Sequence, residues 1–343
     1  MERSSEVILR NQSKLPPGGI LLLNPPRDNL YSRLTAAGHP VKCFTQHHGD
    51  FRWLEASGAD VQFGVVPAAE QISAVTILHL PREKDLLAML SHALASAMPA
   101  QSCLWLVGDN KAGIKSAPRH LEPFYGQVVK LDSARHCGLY EASQPRPGKP
   151  WVLSDYLSRW AAHYAGKDVK VLSLPGVFAH GRLDPGSRLL LKVLEGLEPS
   201  GKILDFACGS GVVACALLAA DSHAELTLLD VSSLALESSR QTLILNQQQA
   251  MLLPSDGLSE VDARFDWIIS NPPFHRGIHN DLDIAADFFT RAGTFLTGKG
   301  RIVIVCNRHL PYKKWLQDHF KQVEELAVDE QFRVIMAASA QNR

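Results

Sequence analysis

From Lys202 onward the chain alternates short apolar runs with stretches of helical spacing, and this order restricts the fold more than any other feature. "KILDFA" reads as a strand and "GVVACALLAA" as a helix; "ELTLLD" reads as a strand and "SSLALESSRQTLILN" as a helix. "WIISN", "DLDIAADFFTRAGTFL", "RIVIVC" and "YKKWLQDHF" continue the alternation, and two close apolar runs, "VEELAV" and "FRVIMA", follow. Such an order buries a parallel sheet between two helical layers. The last two runs lie too close for a helical crossover, so they are expected to pair antiparallel at the end of the sheet.

The first half carries a blurred copy of this order. "AVTILHLP" (74–81) corresponds to "DWIISNPP" (266–273), "CLWLVGDN" (103–110) to "RIVIVCN" (301–307), and "GLYEAS" (138–143) to "RVIMAAS" (333–339). Asn110 and Asn307 are 197 positions apart and Ser143 and Ser339 are 196 apart, a nearly constant offset that points to internal duplication. "SQPRPGKPW" (143–151) crowds three prolines and a glycine together and reads as a break. "LSDYLSRWAAHYA" after it shows helical spacing. The expected organisation is an α/β domain over 1–150, a linker over 151–177 and a second α/β domain over 178–343.

Composition narrows the function classes. The cysteines (Cys43, Cys103, Cys137, Cys208, Cys215, Cys306) are scattered with no C-x-x-C pair, which argues against a zinc site and for reduced thiols in the cytoplasm. No metal is expected. The N-terminus lacks a signal-peptide core, and no stretch holds the roughly 18 apolar residues that a membrane span needs. Net charge is zero, so bulk charge does not draw the chain to nucleic acid. Residues 1–150 carry 16 Lys+Arg against 13 Asp+Glu, and 151–343 carry 19 against 22, which makes the first half the more polyanion-facing.

Two motifs carry chemistry. "ILDFACGSGVVACALL" (203–218) sets Gly209 and Gly211 between a strand and a helix, where the missing Cβ atoms let a ligand approach the main chain. Asp230 ends the next strand, where an acid accepts hydrogen bonds from ribose hydroxyls. "GSGVVA" also fits a dinucleotide fingerprint, so an NAD-dependent oxidoreductase is an alternative. Asp205 ahead of the loop, and a downstream site unlike a hydride-transfer site, favour S-adenosyl-L-methionine. The first strand of the other half, within "GGILLLNPPRDNL" (18–30), has no glycine in the turn after it, and no cofactor is expected there.

The second motif is "SNPPF" (270–274), in which a buried strand stops on an amide, two prolines and an aromatic ring. An exocyclic base amine is a poor nucleophile, because its lone pair is delocalised into the ring. Two acceptors that hold both N–H bonds turn the lone pair toward a methyl donor. Asn271 offers a side-chain carbonyl, and Pro272 a main-chain carbonyl that Pro273 cannot tie up. Phe274 can stack on the base. "NPPR" (24–27) repeats the Asn-Pro-Pro without the ring or the glycine loop, and is expected to be a structural turn.

"DFACGSG", "LTLLD" and "SNPPFHRG", together with "FAHGRLDPGSRLLL" (178–191), resemble the class I methyltransferases that act on exocyclic or amide nitrogens, and in particular the bacterial small-subunit ribosomal RNA guanine-N2 methyltransferases. The resemblance implies two tandem Rossmann-like methyltransferase domains, the N-terminal one degenerate and devoted to RNA recognition and support. The C-terminal one is implied to hold a seven-stranded sheet with an antiparallel final strand. It further implies Asp205, Gly209 and Gly211 at the methionine end of the cofactor, Asp230 at the ribose and Asp256 near the adenine. Asn271, Pro272 and Phe274 would hold the guanine, and Arg182, Leu183 and Asp184 would belong to a loop over the cofactor. RNA contacts are expected from His275, Arg276, Lys111, Lys115, Arg119, Lys313 and Lys314. The implied partner is the 30S subunit and its 16S RNA, met by a monomeric cytoplasmic enzyme. Adenine-N6 and protein-glutamine methyltransferases share the motif and remain alternatives; they more often carry tyrosine after the prolines.

Overall fold

The structure is a computed structural model and describes residues 1–272 and 279–340, the side chains of 279–284 excepted. It divides into two compact units, Met1–Leu157 and Ser158–Arg343. The first begins with α1 (Arg3–Arg10) and then runs β1 (Ile20–Leu23), α2 (Leu30–Ala36), β2 (Val41–Thr45), α3 (His48–Ala56) and β3 (Asp60–Phe63). It continues with β4 (Val75–His79), α4 (Lys84–Ala97), β5 (Cys103–Asp109), α5 (Pro118–Leu121), β6 (Tyr125–Ala134) and β7 (Cys137–Pro145). Its sheet has the order β3-β2-β1-β4-β5-β7-β6.

The second unit opens with β8 (Ser158–Tyr164), β9 (Lys167–Ser173) and α6 (Pro185–Leu197). The alternating part follows: β10 (Lys202–Phe206), α7 (Val212–Ala220), β11 (Glu225–Asp230), α8 (Ser233–Leu245), β12 (Met251–Pro254), β13 (Phe265–Ser270) and α9 (His279–Ala292). β14 (Leu296–Asn307), α10 (Tyr312–His319), β15 (Phe320–Val328) and β16 (Phe332–Ala340) complete it. The sheet order β12-β11-β10-β13-β14-β16-β15 repeats that of the first unit strand for strand, as the constant offset requires of a duplication. β14 pairs antiparallel with β16, and β15 with β16, so the final strand runs against its neighbours as expected.

Parallel strands must be covered on both faces, and the central strands are accordingly mostly apolar. Leu204, Phe206, Ile268, Ile302 and Ile304 lie under Ala285, Phe288, Phe289 and Tyr312 of the covering helices. Trp105, Val107, Ile20, Leu22 and Ile77 play the same part in the first unit. All six cysteines are free and buried. Among the described residues no helix is long and apolar enough to cross a membrane, and no cluster of His, Cys, Asp and Glu could hold a metal ion.

The stretch 151–177, expected as a linker with a helix in it, folds otherwise. A short 3-10 turn at Leu153–Tyr156 leads into the β8–β9 hairpin. The residues from Ser158 to Ala165 fit period two as well as helical spacing, and "AG" at 165–166 decides between them. Ala165 and Gly166 both have positive φ, the backbone that a two-residue hairpin turn demands.

The free edge of β9 is capped by a helix rather than a strand. Ser238 Oγ accepts from Leu174 N at 3.0 Å, and Thr242 Oγ1 accepts from Leu172 N at 3.0 Å and donates to Leu172 O at 3.1 Å. Asn246 accepts from Lys170 N through Oδ1 at 3.1 Å and donates to Lys170 O through Nδ2 at 2.6 Å. Four residues of helix rise about 6 Å and two residues of strand about 6.6 Å, so every fourth side chain of α8 meets every second residue of β9. Thr242→Val should leave the half-buried Leu172 N–H and C=O without their side-chain partner and cost about 1–3 kcal/mol. Denaturant unfolding of the variant checks this; an unchanged midpoint would show that the ladder adds nothing.

Candidate active site

β10 and β13 are adjacent and parallel, with Phe206 opposite Ser270, and Ser270 Oγ donates to Phe206 O at 2.7 Å. The glycine loop after β10 and Asn271 after β13 therefore leave the same carboxyl edge on neighbouring strands, about 5 Å apart by sheet geometry. This is where open α/β sheets bind ligands.

The loop 207–211 is shaped by three left-handed residues, Ala207 (φ 60°), Gly209 (φ 55°) and Gly211 (φ 74°). A Cβ on Gly209 would meet nothing within 4 Å, so its outer face is open. A Cβ on Gly211 would lie 2.9 Å from Ser239 Oγ and 3.1 Å from Ser239 Cα, so close packing of α7 on α8 demands glycine there. Ser239 also donates to Gly209 O at 3.0 Å, fixing the loop from behind. Sequence reasoning passed over Ser239, which stands among several small polar residues on the buried face of α8.

Asp230, at the end of β11, accepts from Gly209 N at 3.0 Å and from Ser232 N at 2.9 Å, tying the second strand to the loop. Asp205 is buried on β10 and accepts from Ala214 N at 3.2 Å in the first turn of α7, whose cap residue Gly211 has no side chain to offer. Burial pushes the Asp205 carboxyl up to about 7; the Ala214 N–H opposes the rise and the nearby Asp230 adds to it. Among the described residues no cation offsets the charge of this buried acid, and the ammonium of a bound amino-acid moiety would relieve the cost. The open face over Gly209 and this unmatched acid fit the methionine end of S-adenosylmethionine. Asp256 follows β12, whose Pro254 lies opposite Asp230, so it stands on the same edge.

Asn271 is the most tightly determined residue of the site. Its Nδ2 donates to Asp184 Oδ2 at 3.1 Å and to Ser187 Oγ at 2.8 Å. Both amide hydrogens are thereby used, and Oδ1 takes no bond from any described residue. The first-half motif behaves differently. Asn24 donates through Nδ2 to Gln46 Oε1 at 3.0 Å and accepts through Oδ1 from Gln46 N at 2.9 Å, so both ends of its amide are closed within the protein. Arg27, where the aromatic would stand, pairs with Asp50 at 2.6 Å. The turn there is structural, as its sequence suggested.

Pro272 is buried next to Asn271. Phe274, His275 and Arg276 lie outside the described residues. Lys111, Lys115 and Arg119 are exposed in the short helical turns after β5, while Lys314 is exposed and Lys313 half-buried in α10 after β14. β5 and β14 hold the same place in the two sheets, so both basic groups follow the same carboxyl edge of their own unit. Arg308 and His309, passed over in the sequence, are exposed on the turn that leads into α10. Arg333 braces that turn by donating to the carbonyls of Arg308 and of Leu310, the latter at 3.2 Å.

Comparison with known proteins identifies the family. Residues 168–336 match the family described as methyltransferase small domain, and residues 5–160 match its N-terminal counterpart, methyltransferase small domain N-terminal. The chain is 34% identical to the ribosomal RNA small subunit methyltransferase C of Shewanella pealeana, with 97% of this chain and 98% of that one covered. It is 37% identical to the protein of the same name from Pseudomonas fluorescens, over 98% and 99%. Among solved structures it is similar to the T. thermophilus 16S rRNA N2 G1207 methyltransferase (RsmC) in complex with AdoMet and guanosine, with a TM-score of 0.84, 25% identity, and 98% of this chain and 92% of that one covered. Near-complete coverage at this identity, on two matching domains, places the chain in the ribosomal RNA small subunit methyltransferase C family.

Proposed function

We propose that the protein methylates the exocyclic N2 amine of a guanine in small-subunit ribosomal RNA, with S-adenosyl-L-methionine as donor. The observation that carries this is the Asn271 amide, its hydrogens spent on Asp184 and Ser187 and its oxygen left for substrate, one strand from an open glycine loop. Its full-length relatives bear the name of that activity. The name borne by the full-length relatives favours this reading over the adenine-N6, protein-glutamine and NAD-dependent alternatives.

When bound, S-adenosylmethionine supplies a methyl group made electrophilic by its sulfonium. Asp205, Gly209, Gly211, Asp230 and Asp256 are the residues assigned to hold it. Asn271 Oδ1 and the Pro272 carbonyl accept the two N–H bonds of the guanine amine and turn its lone pair out of conjugation. As the N–C bond forms and the bond from methyl to sulfur breaks, positive charge grows on that nitrogen and the two oxygens stabilise it; the donor would leave as a neutral thioether and the surplus proton passes to water. The base must leave its stack to reach the edge, and Phe274 is assigned to receive it by stacking. Lys111, Lys115, Arg119, Lys313 and Lys314, with His275 and Arg276, are assigned to the RNA backbone. The assignment extends to a monomer acting in the cytoplasm on the 30S subunit, because a chain of zero net charge gains little from naked RNA and more from a shaped particle.

Labelled S-adenosylmethionine offered with naked RNA, 30S subunits or bulk protein tests the substrate: label at guanine N2 within the subunit is expected, and label in protein or at adenine N6 overturns the proposal. Asn271→Ala should lower the rate at least about a hundredfold, the scale for removing one preorganised polar group, while Asn24→Ala keeps nearly full turnover. Equal losses would mean that the catalytic copy has been misassigned.

Asp205 gives a pH dependence. A cation bound beside it favours the ionised carboxyl, so cofactor binding below about pH 7 should release a proton. Affinity should weaken as pH falls through 7, by up to about tenfold per unit. Calorimetry in buffers of differing ionisation heat reads the proton, and Asp205→Asn should abolish its release. The same affinity at pH 6 and pH 8 would remove Asp205 from the cofactor site.

A further inference from the structure

We propose that Asp184 and Ser187 are positioning residues for methyl transfer: together they fix the Asn271 amide with its oxygen toward the substrate amine and set a negative charge behind it. The proposal rests on the assignment of Asn271 as an acceptor for that amine, and explains why this oxygen, rather than the amide nitrogen, faces the substrate.

An unrestrained asparagine can present either end of its amide, and the nitrogen end would repel the N–H bonds of a base amine. Here the choice is made by the carboxylate of Asp184, and Ser187 holds the amide beside it. Asp184 Oδ2 is acceptor-only when ionised, and Ser187 Oγ lies 2.8 Å from the same nitrogen. Turning the amide over would set Oδ1 against the carboxylate and lose the charge-assisted bond to Asp184, whereas the Ser187 hydroxyl can bond to either end.

The sequence around these residues is built for this contact. Asp184 is the N-cap of α6: its Oδ2 accepts from Ser187 N at 3.1 Å, and Pro185 takes the first helical position, which needs no N–H. A Cβ at Gly186 would come within 2.9 Å of Asp184 Oδ2 and 3.2 Å of the Phe332 ring, so glycine keeps the carboxylate seated. One oxygen thus serves both the helix end and the amide, and "DPGS" (184–187) reads as cap, first turn, clearance and second acceptor.

The arrangement also has an electrostatic consequence. Donation of an amide N–H to a carboxylate draws electron density toward the carbonyl oxygen, because hydrogen bonds in series polarise one another. Asn271 Oδ1 becomes a better acceptor as positive charge grows on the attacking nitrogen, and Asp184 contributes without touching substrate. Ser187 contributes orientation alone.

Asp184→Asn separates this role from a structural one, since asparagine caps a helix as well as aspartate does. With 30S subunits as substrate, it should lower kcat by about tenfold to a hundredfold, within the range for a preorganised polar group. KM for the subunit, the Kd for S-adenosylmethionine and Tm should stay near their wild-type values. Ser187→Ala should show a smaller loss of kcat, about threefold to tenfold on the same scale, which Ser187→Thr restores. A wild-type kcat in Asp184→Asn beside an inactive Asn271→Ala overturns the clamp and leaves the role of Asn271 standing. Full activity in Asn271→Ala overturns the assignment beneath it. A loss in Asp184→Asn that appears only as weaker cofactor binding or a lower Tm also overturns the clamp.

Discussion

In the proposed reaction the second unit turns on the direction of one amide. A side-chain carbonyl ending strand β13 can hold a base amine only if something else holds its nitrogen, and that something is the first turn of a helix more than eighty residues earlier in the chain. The requirement propagates outward. Asp184 must sit at the start of α6, which fixes the loop before it. His180 in that loop is held between Ser158 Oγ at 3.0 Å and Ser173 Oγ at 3.1 Å, both on the hairpin, and Ser173 also accepts from Gly181 N. The hairpin in turn is registered by α8, the helix that also braces the glycine loop through Ser239. The glycine loop and the supports of the Asn271 amide thus share one helix.

The two halves show how little separates a working site from a scaffold once a fold is shared. Strand order is identical, and both carry Asn-Pro-Pro. In the first unit the amide ends β1 rather than β4 and is closed on Gln46 at both ends; the residue at the place of Asn271 is His79. Burial lowers the His79 pKa to about 4, so it stays neutral at physiological pH. The first unit keeps the architecture and lacks the acceptor, the glycine loop and the acids that define the second.

Strand–helix alternation made the topology of the second unit legible, because period two and period 3.6 leave different marks on a sequence and glycine and proline punctuate them. The glycine loop, Asp205, Asp230 and Asn271 were legible for the same reason: each stands at the carboxyl end of a readable strand. The hairpin was not, since eight residues fit both periods and only the Ala165–Gly166 turn chose between them. Ser187, Ser239 and the Ser238–Thr242–Asn246 ladder were invisible because their value lies in a partner distant in sequence. A buried serine on a helix reads as neutral until the backbone it faces is known.

That ladder bears on solubility as well as on position. A two-stranded ribbon ordinarily leaves a row of unpaired amide groups along each side, an invitation to another chain's strand. α8 fills one of those rows with its own side chains, spaced to the strand's repeat. A newly made chain that closes α8 over β9 early in folding therefore removes a template for intermolecular pairing before the larger sheet is complete.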